Sequence, residues 1–281
     1  MYTGKTFLLT GATKGIGRQI AINLATNNAK LIAIARNNDD LIKLQDDLQS
    51  KGGPHLYYSL DVSNELLVKQ IFEKINQQVS LLDGIINCAG SFGSIGKFEE
   101  TSPSQFLESI QINLMGSYNI CYHGFKLLSK APKGKIINFA GGGVTGTFPN
   151  YSGYACSKIA LTKLTENLSV EYPNLDINII APGFVKTDLA NQTIMAGDRA
   201  GSFYQKTKKM LLEGGIDVKF TVDLINYLLS EQANGISGKL ISAPWDQWKE
   251  VHYQKEIKEN HDFCTIRRID NKYFTSMESD I

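Results

Sequence analysis

Residues 6–17 read "TFLLTGATKGIG". The apolar run at 6–10 is short, stops against a glycine, and fits a buried strand rather than a helix. Glycines follow at 11, 15 and 17, and from Ile16 to about Asn27 apolar residues return at helical spacing. A glycine-rich turn between a strand and a helix lets backbone N–H groups approach a pyrophosphate, whose charge the helix N-terminus favours. The stretch therefore predicts the opening strand, loop and helix of a dinucleotide-binding fold. Gly11, Thr13, Lys14, Gly15, Ile16 and Gly17 are the expected cofactor-binding residues of that loop.

The same alternation runs down the chain. "KLIAIA" (30–35), "LYYSLDV" (56–62), "LDGIINCAG" (82–90), "GKIINFA" (134–140), "LDINIIAPG" (175–183) and "GKLISA" (238–243) are further strand candidates, largely apolar on both faces. Helical patterns separate most of them. One helix is expected to start with Ser102 as N-cap and Pro103 at its first position, and another to run from about Ser152 to Glu171. Strands of this kind belong in a parallel sheet covered on both sides. The expected fold is α/β, a doubly wound parallel sheet of about seven strands. With 281 residues, 42% hydrophobic and 20% charged, the chain suits one Rossmann-type domain over 1–244 with a C-terminal extension over 245–281.

Bulk properties narrow the partners. A formal charge of +1 provides no field for nucleic acid or an anionic membrane. No apolar run approaches the roughly 18 residues that span a bilayer, and no signal peptide is read at the N-terminus. Cys88, Cys121, Cys156 and Cys264 show no CxxC spacing, so free thiols in the cytoplasm are expected. His55, His123, His252 and His261 show no metal-ligand spacing, and no metal is expected.

The second strand bears on the choice of dinucleotide. NAD sites usually place an acid at its end, to bond the ribose 2′-hydroxyl. Here Ala35 and Arg36 stand there, and Lys14 adds a second cation. An arginine grips a 2′-phosphate through two parallel hydrogen bonds, so NADP is the expected cofactor.

In combination these motifs, over roughly residues 4–244, resemble the short-chain dehydrogenase/reductase family. "TGATKGIG" (10–17) looks like its cofactor loop, and "LDV" (60–62) like its adenine contact, with Asp61 and Val62 near the base. "NCAG" (87–90) is similar to its N-N-A-G motif, with Cys88 in place of the second asparagine. "INLMG" (112–116) carries Asn113 at the family's helix asparagine, and "YACSK" (154–158) matches Y-x-x-x-K. "PGFVKTD" (182–188) resembles the stretch flanking the nicotinamide. The resemblance implies cofactor contacts from Asn87, Ala89, Gly90, Pro182, Gly183, Val185 and Thr187. It also implies hydride transfer at a nicotinamide and a homodimer or homotetramer.

Reducing a carbonyl requires a proton donor as well as a hydride. A phenol has an ordinary pKa near ~10, which a neighbouring ammonium lowers. Residues four apart share a helix face, so Lys158 can act beside Tyr154 as the acid/base pair. The resemblance gives Lys158 a second task on the nicotinamide ribose and makes Asn113 the relay. The family usually has a serine thirteen residues before the tyrosine. Here that position is Gly141, inside "AGGG" (140–143), and Ala140 also lacks a hydroxyl. Thr145, Thr147 and Ser152 lie nearby. Thr145 is the expected substitute, delivered by a flexible glycine loop.

Residues 189–215 fall where the family keeps a substrate lid. Lys206, Lys208 and Lys209 there suit an anionic substrate, or are simply a solvated helix face. Trp245 and Trp248 suit an interface, a cap on the site, or closure of the core. The overall expectation is an NADP(H)-dependent oxidoreductase acting on a carbonyl or secondary alcohol. The alternative is a cofactor-binding sensor or scaffold with a degenerate site.

Overall fold

The computed structural model describes residues 2–268. Seven strands form one sheet: β1 (Thr6–Thr10), β2 (Lys30–Ala35), β3 (Leu56–Ser59), β4 (Gly84–Asn87), β5 (Lys135–Phe139), β6 (Asp176–Ala181) and β7 (Leu240–Ser242). The helices are α1 (Gly15–Thr26), α2 (Asn38–Leu48), α3 (Glu65–Ile75), α4 (Pro103–Ile110), α5 (Gly116–Leu128), α6 (Ser152–Glu171), α7 (Asp188–Ala196), α8 (Ser202–Leu212), α9 (Val218–Leu229) and α10 (Val251–Glu259). All strand pairs are parallel, in the order β3-β2-β1-β4-β5-β6-β7. This is the expected doubly wound sheet.

Strand periodicity builds two cores. Phe7 and Leu9 face one side with α1, α2 and α9, while Leu8 faces the other with α3 and α5. β2 divides in the same way, Leu31 and Ala33 against Ile32 and Ile34. A period of two on an apolar strand leaves no solvent face. Helix starts follow their sequence signals. Asn37 caps α2 and Asn64 caps α3, and Ser102 forms a capping box with Gln105 ahead of Pro103 in α4.

The stretch after Pro244 packs back on the sheet. Trp248, Tyr253 and Ile257 are buried in the same cluster as α1 and α9. The Trp248 indole donates to the Ala243 carbonyl at 3.0 Å and stacks on Tyr227. Lys239 Nζ donates to the carbonyls of Asn260, His261 and Phe263 just beyond α10. Of the three roles open to the tryptophans, Trp248 closes the core. Trp245 is exposed and lines the cleft described below. The end of the expected extension, 269–281, lies outside the described residues.

The order of the strands positions the site. After β3 the chain returns to the other side of β1 to form β4, and at such a reversal the loops diverge and leave a crevice at the carboxyl ends. If α10 is part of the core, Trp248→Ala should lower the unfolding free energy by about 3–5 kcal/mol in urea denaturation. A loss under about 1 kcal/mol, the range of ordinary surface changes, would show that the segment is an appendage.

Candidate active site

A cleft of about 860 Å³ crosses the carboxyl ends of the strands, from Arg36 and Asp61 at one end to α8 at the other. One end is built by the loop between β1 and α1. A Cβ at Gly17 would stand 2.0 Å from the Gly11 carbonyl oxygen, so only glycine permits this turn. Neither a side-chain cap nor an acidic residue occupies the start of α1. Its first-turn N–H groups are the donors that a pyrophosphate satisfies. Gly11, Thr13, Lys14, Gly15, Ile16 and Gly17 all line the cleft, as do Arg36, Asp61, Val62, Ala89 and Gly90, and on the far wall Pro182, Gly183, Val185 and Thr187.

Two expected cofactor contacts look different in the structure. Lys14 is not a free cation: its Nζ lies 3.2 Å from Asp40 and 3.7 Å from Asp188, and Asp40 raises its pKa. Asp40 sits in the first turn of α2 and lines the cleft, an acid close to Arg36 in sequence that attention to the strand terminus alone misses. Asn87 is buried, and its side chain turns into the sheet, donating to Asn138 at 2.9 Å and to the Cys121 sulfur at 3.2 Å. It does not line the cleft.

At the floor, α6 carries Tyr154 and Lys158 on one face, and both are almost fully buried. Lys158 Nζ donates to the Phe139 carbonyl at 2.8 Å and lies 5.7 Å from the Tyr154 ring centre. No described carboxylate pairs with it. Burial lowers its pKa from 10.5 to about 8, a penalty on the charged form of about 3 kcal/mol. Burial pushes the Tyr154 phenol up. Phe92 packs edge-on against the Tyr154 ring, with centres 4.7 Å apart. Asn113 sits in a π-helical turn between α4 and α5 and is buried. Its amide donates to the Ser91 carbonyl and to Ser157 Oγ, and its Oδ1 accepts from the Ser91 N–H. Its side chain thus pins the loop after β4 to α6 and does not line the cleft.

The glycines after β5 are packed tightly. A Cβ at Gly141 would lie 2.0 Å from the Tyr154 hydroxyl, one at Gly142 2.9 Å from the Phe148 ring, and one at Gly143 2.4 Å from the Ala155 Cβ. Gly143 also has φ +92. The expectation of a loose loop is corrected: these glycines permit close approach. The space of the missing side chain at Gly141 is filled by the tyrosine hydroxyl. Thr145 is exposed on the cleft wall.

The wall beyond Tyr154 is aromatic, with Phe92, Phe148, Phe203 and Trp245 lining it. α7 is latched to it by Gln192 Oε1, which accepts from the Phe92 N–H at 3.0 Å, and by Thr193, which accepts from the Tyr151 hydroxyl at 2.9 Å. Sequence reading missed Phe92, Phe148 and Gln192, because no local motif marks residues that meet only across the cleft.

The profile of the short chain dehydrogenase family matches residues 5–196. A 3beta-hydroxysteroid dehydrogenase of Mediterraneibacter gnavus is 31% identical over 191 residues, 67% of this chain and 69% of that one. An 11-beta-hydroxysteroid dehydrogenase-like 2 protein of Arabidopsis thaliana is 36% identical over 66% of this chain and 61% of its own. Among solved structures, levodione reductase superposes with a TM-score of 0.77 at 24% identity, covering 89% of this chain and 98% of its own. A short chain dehydrogenase of Escherichia coli CFT073 complexed with NADPH gives 0.76 at 22%, covering 86% and 97%. The chain belongs to the short-chain dehydrogenase/reductase family, a family of oxidoreductases.

Two outcomes are expected. Lys158→Met should stabilise the cofactor-free protein at pH 7 by about 1–3 kcal/mol, since it removes an unpaired buried charge. Between about 8 and 10.5, wild-type Lys158 is neutral when folded and charged when unfolded, so wild-type stability rises with pH and the advantage of the variant shrinks. Urea titrations across pH 7–10 check both signs. Gly141→Ser should cost about 1–3 kcal/mol by overpacking against Tyr154. Stability equal to wild type would mean that the tyrosine yields its place freely.

Proposed function

We propose that the protein is an NADP(H)-dependent oxidoreductase that interconverts a carbonyl and a secondary alcohol, with Tyr154 as acid/base and Lys158 as its activator. One observation carries this reading. An ammonium with no carboxylate partner among the described residues sits buried beside a buried tyrosine, at the floor of a cleft whose other end is a helix N-terminus without a side-chain cap. That arrangement costs stability and suits an anionic dinucleotide with a reacting oxygen beside the phenol.

The residues present fit the cofactor, which supplies or accepts the hydride when bound. The α1 N-terminus and its glycine turn hold the pyrophosphate. Arg36, with no carboxylate paired to it among the described residues, grips the 2′-phosphate, which supports NADP over NAD. The structural relative complexed with NADPH supports the same choice. Lys158 holds the ribose and favours the ionised phenol. Tyr154 donates its proton as negative charge grows on the carbonyl oxygen, and takes it back in the reverse direction. Asn113 positions Ser157 and the loop at 91 through its side chain, and its part in a proton relay belongs to the proposal. Thr145, on the cleft wall, is the proposed second donor to the substrate oxygen, met by the substrate and not by a swinging loop. The hydroxysteroid dehydrogenases among the relatives support a carbonyl or secondary alcohol as the reacting group. A cytoplasmic homodimer or homotetramer is part of the proposal. Exposed Met115, Tyr118 and Tyr122 around α5 offer an apolar face for assembly.

A second reading has its own support. Glycine at 141 and an up-shifted tyrosine suit a sensor or scaffold that binds cofactor without efficient turnover. A panel of aryl and steroid ketones with NADPH, followed by loss of nicotinamide absorbance, separates the two. Under the enzyme reading, Tyr154→Phe lowers kcat at least about 100-fold and leaves the NADPH Kd unchanged, while Arg36→Ala raises that Kd at least about tenfold and spares NADH. Wild-type rates in Tyr154→Phe, or no turnover of any ketone by wild type, would remove the acid/base assignment.

A further inference from the structure

We infer that the substrate is an aromatic ketone bearing one negative charge at the end remote from its carbonyl, with Lys206 as the residue that selects it. The inference rests on the oxidoreductase reading for the word ketone. It rests on the cleft alone for the rest.

The charges lining the cleft sort by place. Lys14 is neutralised by Asp40 and Asp188, Arg36 and Asp61 mark the end where β2 and β3 finish, and Lys158 sits at the floor. The remaining lining charge is Lys206 on α8. It has no ion pair or hydrogen bond with a described residue. Its neighbours on α8 are engaged elsewhere: Lys208 Nζ lies 4.3 Å from the Tyr204 ring centre, and Lys209 pairs with Glu213 at 3.7 Å. A solvated helix face accounts for those two. Lys206 is exposed and lines the cleft instead.

Between Tyr154 and Lys206 the lining favours a flat apolar body. Phe148 and Phe203 meet edge to face with ring centres 4.7 Å apart, and Phe148 is held in place by stacking on Tyr151 at 4.2 Å. Trp245 is 69% exposed yet lines the cleft, beside Gly183. Rings so arranged present faces and edges to another ring. Of the polar side chains on this wall, Gln192 has its Oε1 engaged by the Phe92 N–H and Thr193 accepts from Tyr151. A single unneutralised ammonium at the far end matches a single carboxylate, and a charge-assisted bond there fixes which end of the ring system reaches Tyr154.

The test separates binding from turnover. Protein saturated with NADP+, or with NAD+ if that is the dinucleotide bound, is titrated by calorimetry with 2-naphthoate, 2-naphthamide and cyclohexanecarboxylate. None of these carries a reducible ketone. Naphthoate should bind at least about tenfold tighter than either analogue, the gain from one charge-assisted bond or from one stacked ring system. Lys206→Met should erase the preference over the amide while amide affinity stays within about twofold, and Lys206→Gln gives the same comparison with a polar side chain. Equal binding of acid and amide, a preference that survives both substitutions, cyclohexanecarboxylate binding as tightly as naphthoate, or no binding of any of the three overturns the inference. Reduction of 6-acetyl-2-naphthoate with NADPH is read separately. Naphthoate selectivity without turnover supports the anion-selecting cleft and counts against the oxidoreductase reading, whereas turnover of the ketone with no acid preference does the reverse.

Discussion

Phe7 and Leu9 bury on one side of the sheet and Leu8 on the other, and every central strand repeats that division. Apolar strands with two buried faces require helices on both sides, and helices that cover both faces make each connection a crossover between parallel strands. Parallel strands all end at the same edge. The cleft follows from that constraint: the loops after β1, β4, β5 and β6 converge on it because no strand runs the other way. Residues as distant in the chain as Gly15 and Thr187 come to lie against each other, so that a Cβ on the glycine would stand 2.8 Å from the threonine methyl.

The floor of the cleft sets stability against chemistry. Lys158 holds its ammonium against one carbonyl oxygen, buried and without a carboxylate among the described residues. A core built only for stability would place an apolar side chain there. The neighbouring glycines give up side chains for proximity. Gly141 leaves room for a phenol oxygen, and Gly143 lets the loop pass against Ala155. Where the family usually has a serine beside the tyrosine, this chain has the tyrosine alone, drawn into the serine's space and enclosed by Phe92 and Phe148. A phenol so enclosed has its pKa raised by burial, and a cation or hydrogen-bond donor entering the cleft would lower it.

The two ends of the cleft differ in kind. Near α1 and α2, charges of both signs meet uncapped N–H groups, an environment for phosphates. Near α8 the wall is aromatic with one cation. The α7–α8 segment is held to that wall by Gln192 and Thr193, so segment and wall form one surface. Trp245 and Trp248, three residues apart, have opposite fates: one joins this surface and the other fills the core beneath it.

Features carried by neighbours in sequence could be read directly. The period of the apolar residues determined the seven strands, the glycines determined the tight turn into α1, and the Ser102-Pro103 pair determined the start of α4. The i, i+4 spacing put Tyr154 and Lys158 on one face of α6. These signals are local, and the backbone reproduces them wherever the segment packs. Contacts between residues far apart in sequence were settled by the tertiary structure alone. Asp40 comes to Lys14, Asn87 turns inward to Asn138, Asn113 spends its side chain on Ser91, and the Gly141 site is filled by Tyr154. Each depends on how two elements approach within an ångström or two, a distance set by the whole core and by no single stretch of chain.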